Sequence, residues 1–231
     1  MKVFWLTGLL LALALPVQAV SDKTRVPLKA GPLQLAALAK GDAQAGKVRS
    51  DDERCQECHG RDGNADDIED GVANIGKFPK LAGQLPGYIA KQIRNFRSGE
   101  RNHETMAIMA RGIDDAALAD IAAYFASQPR KHEGRGDNAL GRKLFAEGDA
   151  GRAIPACAVC HGARGQGAVA GEALYPAIGG QHRRYLHKQL HEWKAGVRAN
   201  SPGGPGGLMN HIAGALSDAE IDALADYIAS L

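Results

Sequence analysis

The sequence predicts an all-α protein built as two tandem copies of one small helical domain. Three observations carry that reading. The pentapeptide Cys55-Gln56-Glu57-Cys58-His59 recurs 102 residues later as Cys157-Ala158-Val159-Cys160-His161. A longer block of matching residues recurs around each copy, the signature of an internal repeat. Apolar residues return at helical spacing in the last segment of each copy, and no stretch shows a convincing strand alternation.

The first element is an export signal. Lys2 precedes an apolar run over residues 3–15, then Pro16 and the triplet Val17-Gln18-Ala19. That order of charged, apolar and small residues predicts a signal peptide over residues 1–19, cleaved after Ala19. The run is short of the roughly 20 residues a membrane span needs. An uncleaved copy would tether the protein loosely to the membrane. What remains, about 210 residues, suffices for two small domains, expected at 20–130 and 131–231.

Each copy then reads as three main helices. One leads into the pentapeptide, from about Asp42 and from about Asp137. A second covers residues 87–98 and 184–195, and a third 114–127 and 217–230. Ser217 and Glu220 have the spacing of a capping box, in which each side chain satisfies an orphan amide at the helix start. Leu216, Ile221, Leu224 and Ile228 follow at helical spacing and form one apolar, core-facing stripe. Between copies, Pro129 ends a helix and a polar run crosses to Gly136.

The repeat is specific. Phe78, Pro79, Leu81, Gly83, Gln84, Tyr88, Gln92, Phe96, Gly99 and Arg101 match Tyr175, Pro176, Ile178, Gly180, Gln181, Tyr185, Gln189, Trp193, Gly196 and Arg198 at a constant offset of 97. Farther on, Met106, Ile113, Asp115 and Tyr124 match Met209, Leu216, Asp218 and Tyr227 at offset 103. The six added residues fall in the Pro/Gly-rich stretch before Met209. The first copy has its own insertion after the pentapeptide, holding Asp66, Asp67, Glu69 and Asp70.

Cys-x-x-Cys-His is the attachment signature of a c-type haem: two thiols form thioethers and the adjacent histidine binds iron. A thioredoxin-like dithiol needs a βαβ setting that is missing here. A zinc ribbon spaces its Cys pairs by roughly 15–20 residues. The two motifs use all four cysteines, so none is left for a disulfide framework. Two covalent haem c groups are therefore expected, on Cys55 and Cys58 and on Cys157 and Cys160, with His59 and His161 as iron ligands.

The sixth ligand of each iron is expected on a loop facing the haem. Beyond Met1 the chain has Met106, Met109 and Met209. Met106 pairs with Met209 in the repeat, whereas Met109 pairs with Ile212, so Met106 and Met209 are preferred. His103 and His211 are nearby rivals, but their spacing breaks the repeat. Thioether is a soft donor that favours ferrous iron, and His/Met coordination raises the potential. Pro79 and Pro176 are placed to offer their carbonyls to the free imidazole N–H of His59 and His161.

These residues resemble the tandem dihaem cytochromes of the cytochrome c4 family. The resemblance covers nearly all of the chain beyond the signal. It rests on Cys-x-x-Cys-His-Gly twice, the Pro-x-Leu/Ile-x-Gly-Gln block twice, and a methionine before the terminal helix twice. It implies two cytochrome c-like domains, a periplasmic location, and electron carriage rather than catalysis. Implied partners are redox proteins: a cytochrome bc1-like complex as donor, a terminal oxidase or reductase, or a flavoprotein. A similar two-domain layout occurs in the haem subunit of flavocytochrome c sulfide dehydrogenases. A dihaem peroxidase or a thiosulfate-oxidising cytochrome would need an open iron site, which the matched methionines argue against.

Charge excludes one class. With 28 basic and 26 acidic residues, the chain has a formal net charge of +2. There is no dense basic run and aromatics are few, so nucleic acid is not an expected partner. Nine carboxylates lie between Asp51 and Asp70, while the second copy gathers Arg183, Arg184, Lys188, Lys194 and Arg198. Surface charge of this kind mainly serves solubility; the sharper reading is a dipolar molecule that uses opposite ends for donor and acceptor.

Overall fold

A computed structural model describes residues 41–66, 76–132, 136–171, 173–198 and 205–231. The signal segment, Asp67, Glu69 and Asp70 of the acidic insertion, and residues 199–204 of the glycine-rich stretch lie outside the described residues.

The first half contains α1 (Ala43–Asp52), α2 (Gln56–His59), α3 (Pro86–Ser98), α4 (Glu104–Gly112) and α5 (Asp115–Ser127). The second half follows the same order with α6 (Ala139–Glu147), α7 (Cys157–His161), α8 (Arg183–Lys194), α9 (Pro205–Ala215) and α10 (Asp218–Ser230). The starts are set by side chains that accept from orphan amides. Asp42 caps α1 through Gln44 and Ala45. Asp114 caps α5 through Ala117. Ser217 and Glu220 form the full capping box at α10. In α6 the cap is Asn138, one residue beyond the expected start, because its side chain accepts from Gly141 N.

Two features differ from the sequence reading. Met106, Met109 and Met209 sit on helices, α4 and α9, rather than on loops. A two-stranded antiparallel pair, β1 (Ala168–Ala170) with β2 (Ala173–Tyr175), follows α7. Strands of three residues are too short to show an alternation.

The first and last helices of each half cross at a glycine. A Cβ on Gly46 would lie 1.9 Å from Asp120 O, and one on Gly141 would lie 2.0 Å from Ala223 O. Side-chain-free contact at those points lets the helices approach backbone to backbone. Around the crossings lie two apolar cores. One holds Ile89, Leu118, Ile121 and Phe125; the other holds Leu144, Phe145, Ile221, Leu224 and Ile228. Each such side chain contributes about 1.5–3 kcal/mol when fully buried.

Repeat-equivalent ion pairs tie the second long helix to the last. Arg94 and Arg97 reach Asp115, and Lys194 reaches Asp218 at 2.7 Å. Arg183 is engaged by Asp222 and Asp226, and Arg198 is buried. The basic residues of the second half are thus largely paired or internal. Arg183, Arg184, Lys188 and Lys194 are nevertheless exposed.

Candidate haem sites

Each pentapeptide folds as a short helix that places its two thiols and its histidine on one wall. Both walls open into a cavity of about 710 Å³, which Cys55, Cys58, His59, Cys157, Cys160 and His161 all line. Burial pushes the Cys55 thiol up to about 12, with Glu53 adding to the effect. Burial likewise pushes Cys157 up to about 11. Thiols held protonated this way are poor redox dithiols, in keeping with a structural attachment role.

The two histidines are buried, each 8 % exposed. His59 Nδ1 lies 2.9 Å from Pro79 O, and His161 Nδ1 lies 2.8 Å from Pro176 O. A carbonyl can only accept, so Nδ1 carries the proton and Nε2 keeps its lone pair for a metal. Burial holds both imidazoles below the usual histidine pKa. Each ring also meets an aromatic edge-on, Phe78 at 6.3 Å and Tyr175 at 6.5 Å between centroids.

Met106, Met109 and Met209 all line the same cavity. His103 also lines it, and caps α4 by accepting from Met106 N at 3.4 Å. His211 is not among the lining residues. The remaining walls are largely apolar, including Leu81, Ile93, Phe125, Ile178, Leu190 and Leu224.

Between the halves the repeat closes on itself. Gln84 Nε2 donates to Ala177 O and Gln84 Oε1 accepts from Ala177 N, both at 2.9 Å. Gln181 makes the same pair of bonds with Lys80, at 2.9 and 2.8 Å. Since Gln84 matches Gln181 and Lys80 matches Ala177, the contact is reciprocal, as across a two-fold axis.

A second reciprocal set lies beside it. Arg101 donates to Gln92, Tyr185 and Gln189 at 2.7–2.9 Å. Arg198 donates to Gln189 at 2.5 Å, Tyr88 at 2.8 Å and Gln92 at 3.2 Å. The guanidiniums stack on Phe96 and Trp193, 4.7 and 4.5 Å from the ring centroids. Burial pushes the Tyr185 phenol up, but the two arginines outweigh it and its pKa falls below the usual tyrosine value.

Every one of these guanidinium partners is a neutral oxygen. Two cations drawn out of water against neutral groups leave charge uncompensated, which is costly. Arg198 Nε and Gln92 Nε2 are buried without a partner among the described residues, and both residues line the cavity. Haem brings carboxylates on its propionates, which such donors fit. The thiols, the imidazoles with free Nε2, the apolar walls and the unpaired donors together match the group the motif specifies.

Sequence reasoning found the thiols, histidines, methionines and prolines. Tyr88, Gln92, Arg101 and their counterparts were visible only as repeat matches without a role.

Comparison with known proteins gives four findings. The family model described as "Cytochrome c" matches residues 139–231. "Cytochrome c4" of Pseudomonas aeruginosa is 40% identical over 199 residues, 84% of this chain and 91% of that protein. The "Thiosulfate dehydrogenase electron acceptor" of Stutzerimonas stutzeri is 38% identical, over 77% of this chain and 78% of that protein. The solved structure of reduced recombinant cytochrome c4 from Pseudomonas stutzeri superposes with a TM-score of 0.71 at 37% identity, covering 83% of this chain and 99% of that one.

Proposed function

The chain belongs to the cytochrome c4 family, and on that premise we propose that it is a periplasmic electron carrier with two six-coordinate His/Met haems. It is a c-type cytochrome, an electron-transfer protein carrying two covalently attached haem c groups. When bound, each haem supplies a one-electron ferric/ferrous couple.

The chain's own residues do the rest. Cys55, Cys58, Cys157 and Cys160 fix the groups covalently. His59 and His161 present Nε2, their rings oriented by the carbonyls of Pro79 and Pro176. Met106 and Met209 would hold the irons from the other side as soft thioether donors. Met109 lines the same cavity, so the repeat match is what selects Met106 over it. A haem held by a histidine and a methionine would supply one-electron transfer rather than substrate chemistry. Arg101 and Arg198 would hold propionates where the halves meet.

The observation that carries this reading is the doubled set of Cys-x-x-Cys-His, histidine-to-proline hydrogen bond and cavity-lining methionine. Periplasmic location rests on the signal-like start. No helix among the described residues is long and apolar enough to cross a membrane. Accepting electrons from a thiosulfate-oxidising enzyme is a specific second reading, because a relative of similar identity carries the name of a thiosulfate dehydrogenase's electron acceptor. A terminal oxidase or reductase would then be the acceptor.

The test is a spectroelectrochemical titration of the exported holoprotein. Two covalent low-spin haems with methionine–iron charge-transfer bands are expected. Met106→Ala and Met209→Ala should each abolish the band at one haem, while Met109→Ala leaves both. Loss of the band in Met109→Ala but not in Met106→Ala would reverse the ligand assignment.

A further inference from the structure

We propose that the rim of the second haem site is a docking surface for a redox protein whose own electron-transfer edge is framed by uncharged apolar residues. This rests on the electron-carrier reading and says which end meets which kind of partner.

The sister copy acts as an internal control. At the first site the rim is built from Glu53, Arg54, Glu57 and Thr105, all of which line the cavity. The repeat-equivalent residues of the second site are Pro155, Ala156, Val159 and Leu208. Pro155, Ala156 and Leu208 line the cavity there. Pro155 is exposed, Val159 is 78% exposed and Leu208 is 43% exposed. The short helix of the pentapeptide and the methionine-bearing helix recur in both copies, and the first copy folds with Glu57 at the position of Val159 and Thr105 at that of Leu208, whereas the backbone before the pentapeptide differs, Arg54 being left-handed at φ 59° and Ala156 extended at φ −57°. The fold therefore does not require Val159 or Leu208 to be apolar.

Isolated exposed apolar side chains need no explanation. Pro155, Ala156 and Leu208 line the second haem site together, and Val159 stands exposed within its attachment motif, between Cys157 and Cys160. The neighbouring charges are paired with one another: Arg152 donates to Asp149 at 2.7 Å and to Glu220 at 2.6 and 3.0 Å. Ile108 and His211 reverse the pattern; like Val159 they lie off the cavity lining, but Val159 stands within the attachment motif itself and they do not. At the first rim, Arg54 is bound bidentately by Glu57 at 2.7 and 2.9 Å, with Asp51, Asp52 and Glu53 alongside.

Charge complementarity follows from this contrast. A partner presenting charge to the second rim would lose hydration with nothing to replace it. An apolar partner gains about 25 cal/mol for each Å² removed from water. Association there should respond weakly to salt, because no rim charge steers it. One electron passes from the reduced carrier to the partner's oxidised centre; no bond forms or breaks and no proton need move.

The test is stopped-flow oxidation of the reduced holoprotein by an oxidised blue-copper protein whose copper edge opens through an apolar patch, at low and high salt. The native rate should be nearly salt-independent. Val159→Glu should slow it about tenfold, the effect of bringing one uncompensated charge worth about 1.4 kcal/mol into the contact. Leu208→Thr should act in the same direction, and Glu57→Val should not slow it. Unchanged potentials in Val159→Glu assign the loss to docking. A native rate in Val159→Glu, equal slowing in Glu57→Val, or no transfer from the native protein to this acceptor each overturns the docking proposal. Failure of the native protein to cycle reversibly at an electrode would overturn the carrier reading itself.

Discussion

At the residue scale, neutral partners around charged groups are the most informative observation. Arg101 and Arg198 donate to glutamine and tyrosine oxygens and stack on Phe96 and Trp193, with Arg198 6% exposed. If propionates complete these contacts, each guanidinium also places positive charge near an iron and favours the ferrous state. Arg198→Gln should therefore lower at least one midpoint potential, as read by redox titration, with both haems still low-spin. Arg198→Lys should recover part of the shift, since the charge returns without the bidentate geometry. Cys, His and Met were legible in the sequence because their chemistry is specific at fixed spacing. Tyr88, Gln92 and Arg101 were not, because a repeat match does not reveal that the two copies face each other.

At the element scale, caps and close crossings set the frame. The start of α10 is fixed by Ser217 and Glu220 together, with Arg152 bound to the same carboxylate. The Arg152 hydrogen bond is the chief reason the Glu220 carboxyl is held down to about 2, with Ser217 contributing. A depressed acid stabilises the fold above its unfolded value near 4.5, and the benefit is lost as pH falls toward 2. Glu220→Gln should cost about 1 kcal/mol at neutral pH, the usual loss of a cap. Thermal melts of native and variant protein should converge as the pH drops below that unfolded value.

Gly46 carries a different constraint. The carbonyl of Asp120 occupies the space of a Cβ, so Gly46→Ala must separate α1 from α5. Overpacking of this kind typically costs about 1–3 kcal/mol, readable in a chemical denaturation midpoint, and Gly141→Ala should behave alike. The long helices were legible from caps and apolar spacing. Helices α4 and α9 were not. Helix α4 is amphipathic but only nine residues long, and α9 opens on Pro205-Gly206-Gly207, a sequence that reads as a turn. Tertiary packing against α3 and α8 overrides that weak local preference.

At the scale of the whole molecule, the duplication accounts for both the sites and the contact between them. Residues of the connecting stretch strap the halves together. Arg130 donates to Ala82 O at 2.7 Å in one half and to Ala177 O and Gly179 O at 3.1 and 3.0 Å in the other. Burial lowers its pKa to about 10, so it stays charged at neutral pH. Asn64 bonds Lys131 N and Pro129 O, and His132 meets the terminal Leu231 carbonyl. The tandem arrangement was legible from the offsets. Their reciprocal closure through Gln84 and Gln181 was not, since sequence spacing carries no information on how two equal units turn toward each other.

The central claim is that both irons are closed by an internal histidine and methionine. Its most direct test is the ferric absorption spectrum of the holoprotein during addition of cyanide or peroxide. Two low-spin spectra unchanged on the timescale of mixing are the predicted result. A high-spin component at either haem that binds the added ligand rapidly would contradict it, and would mark an open site and an enzyme rather than a carrier.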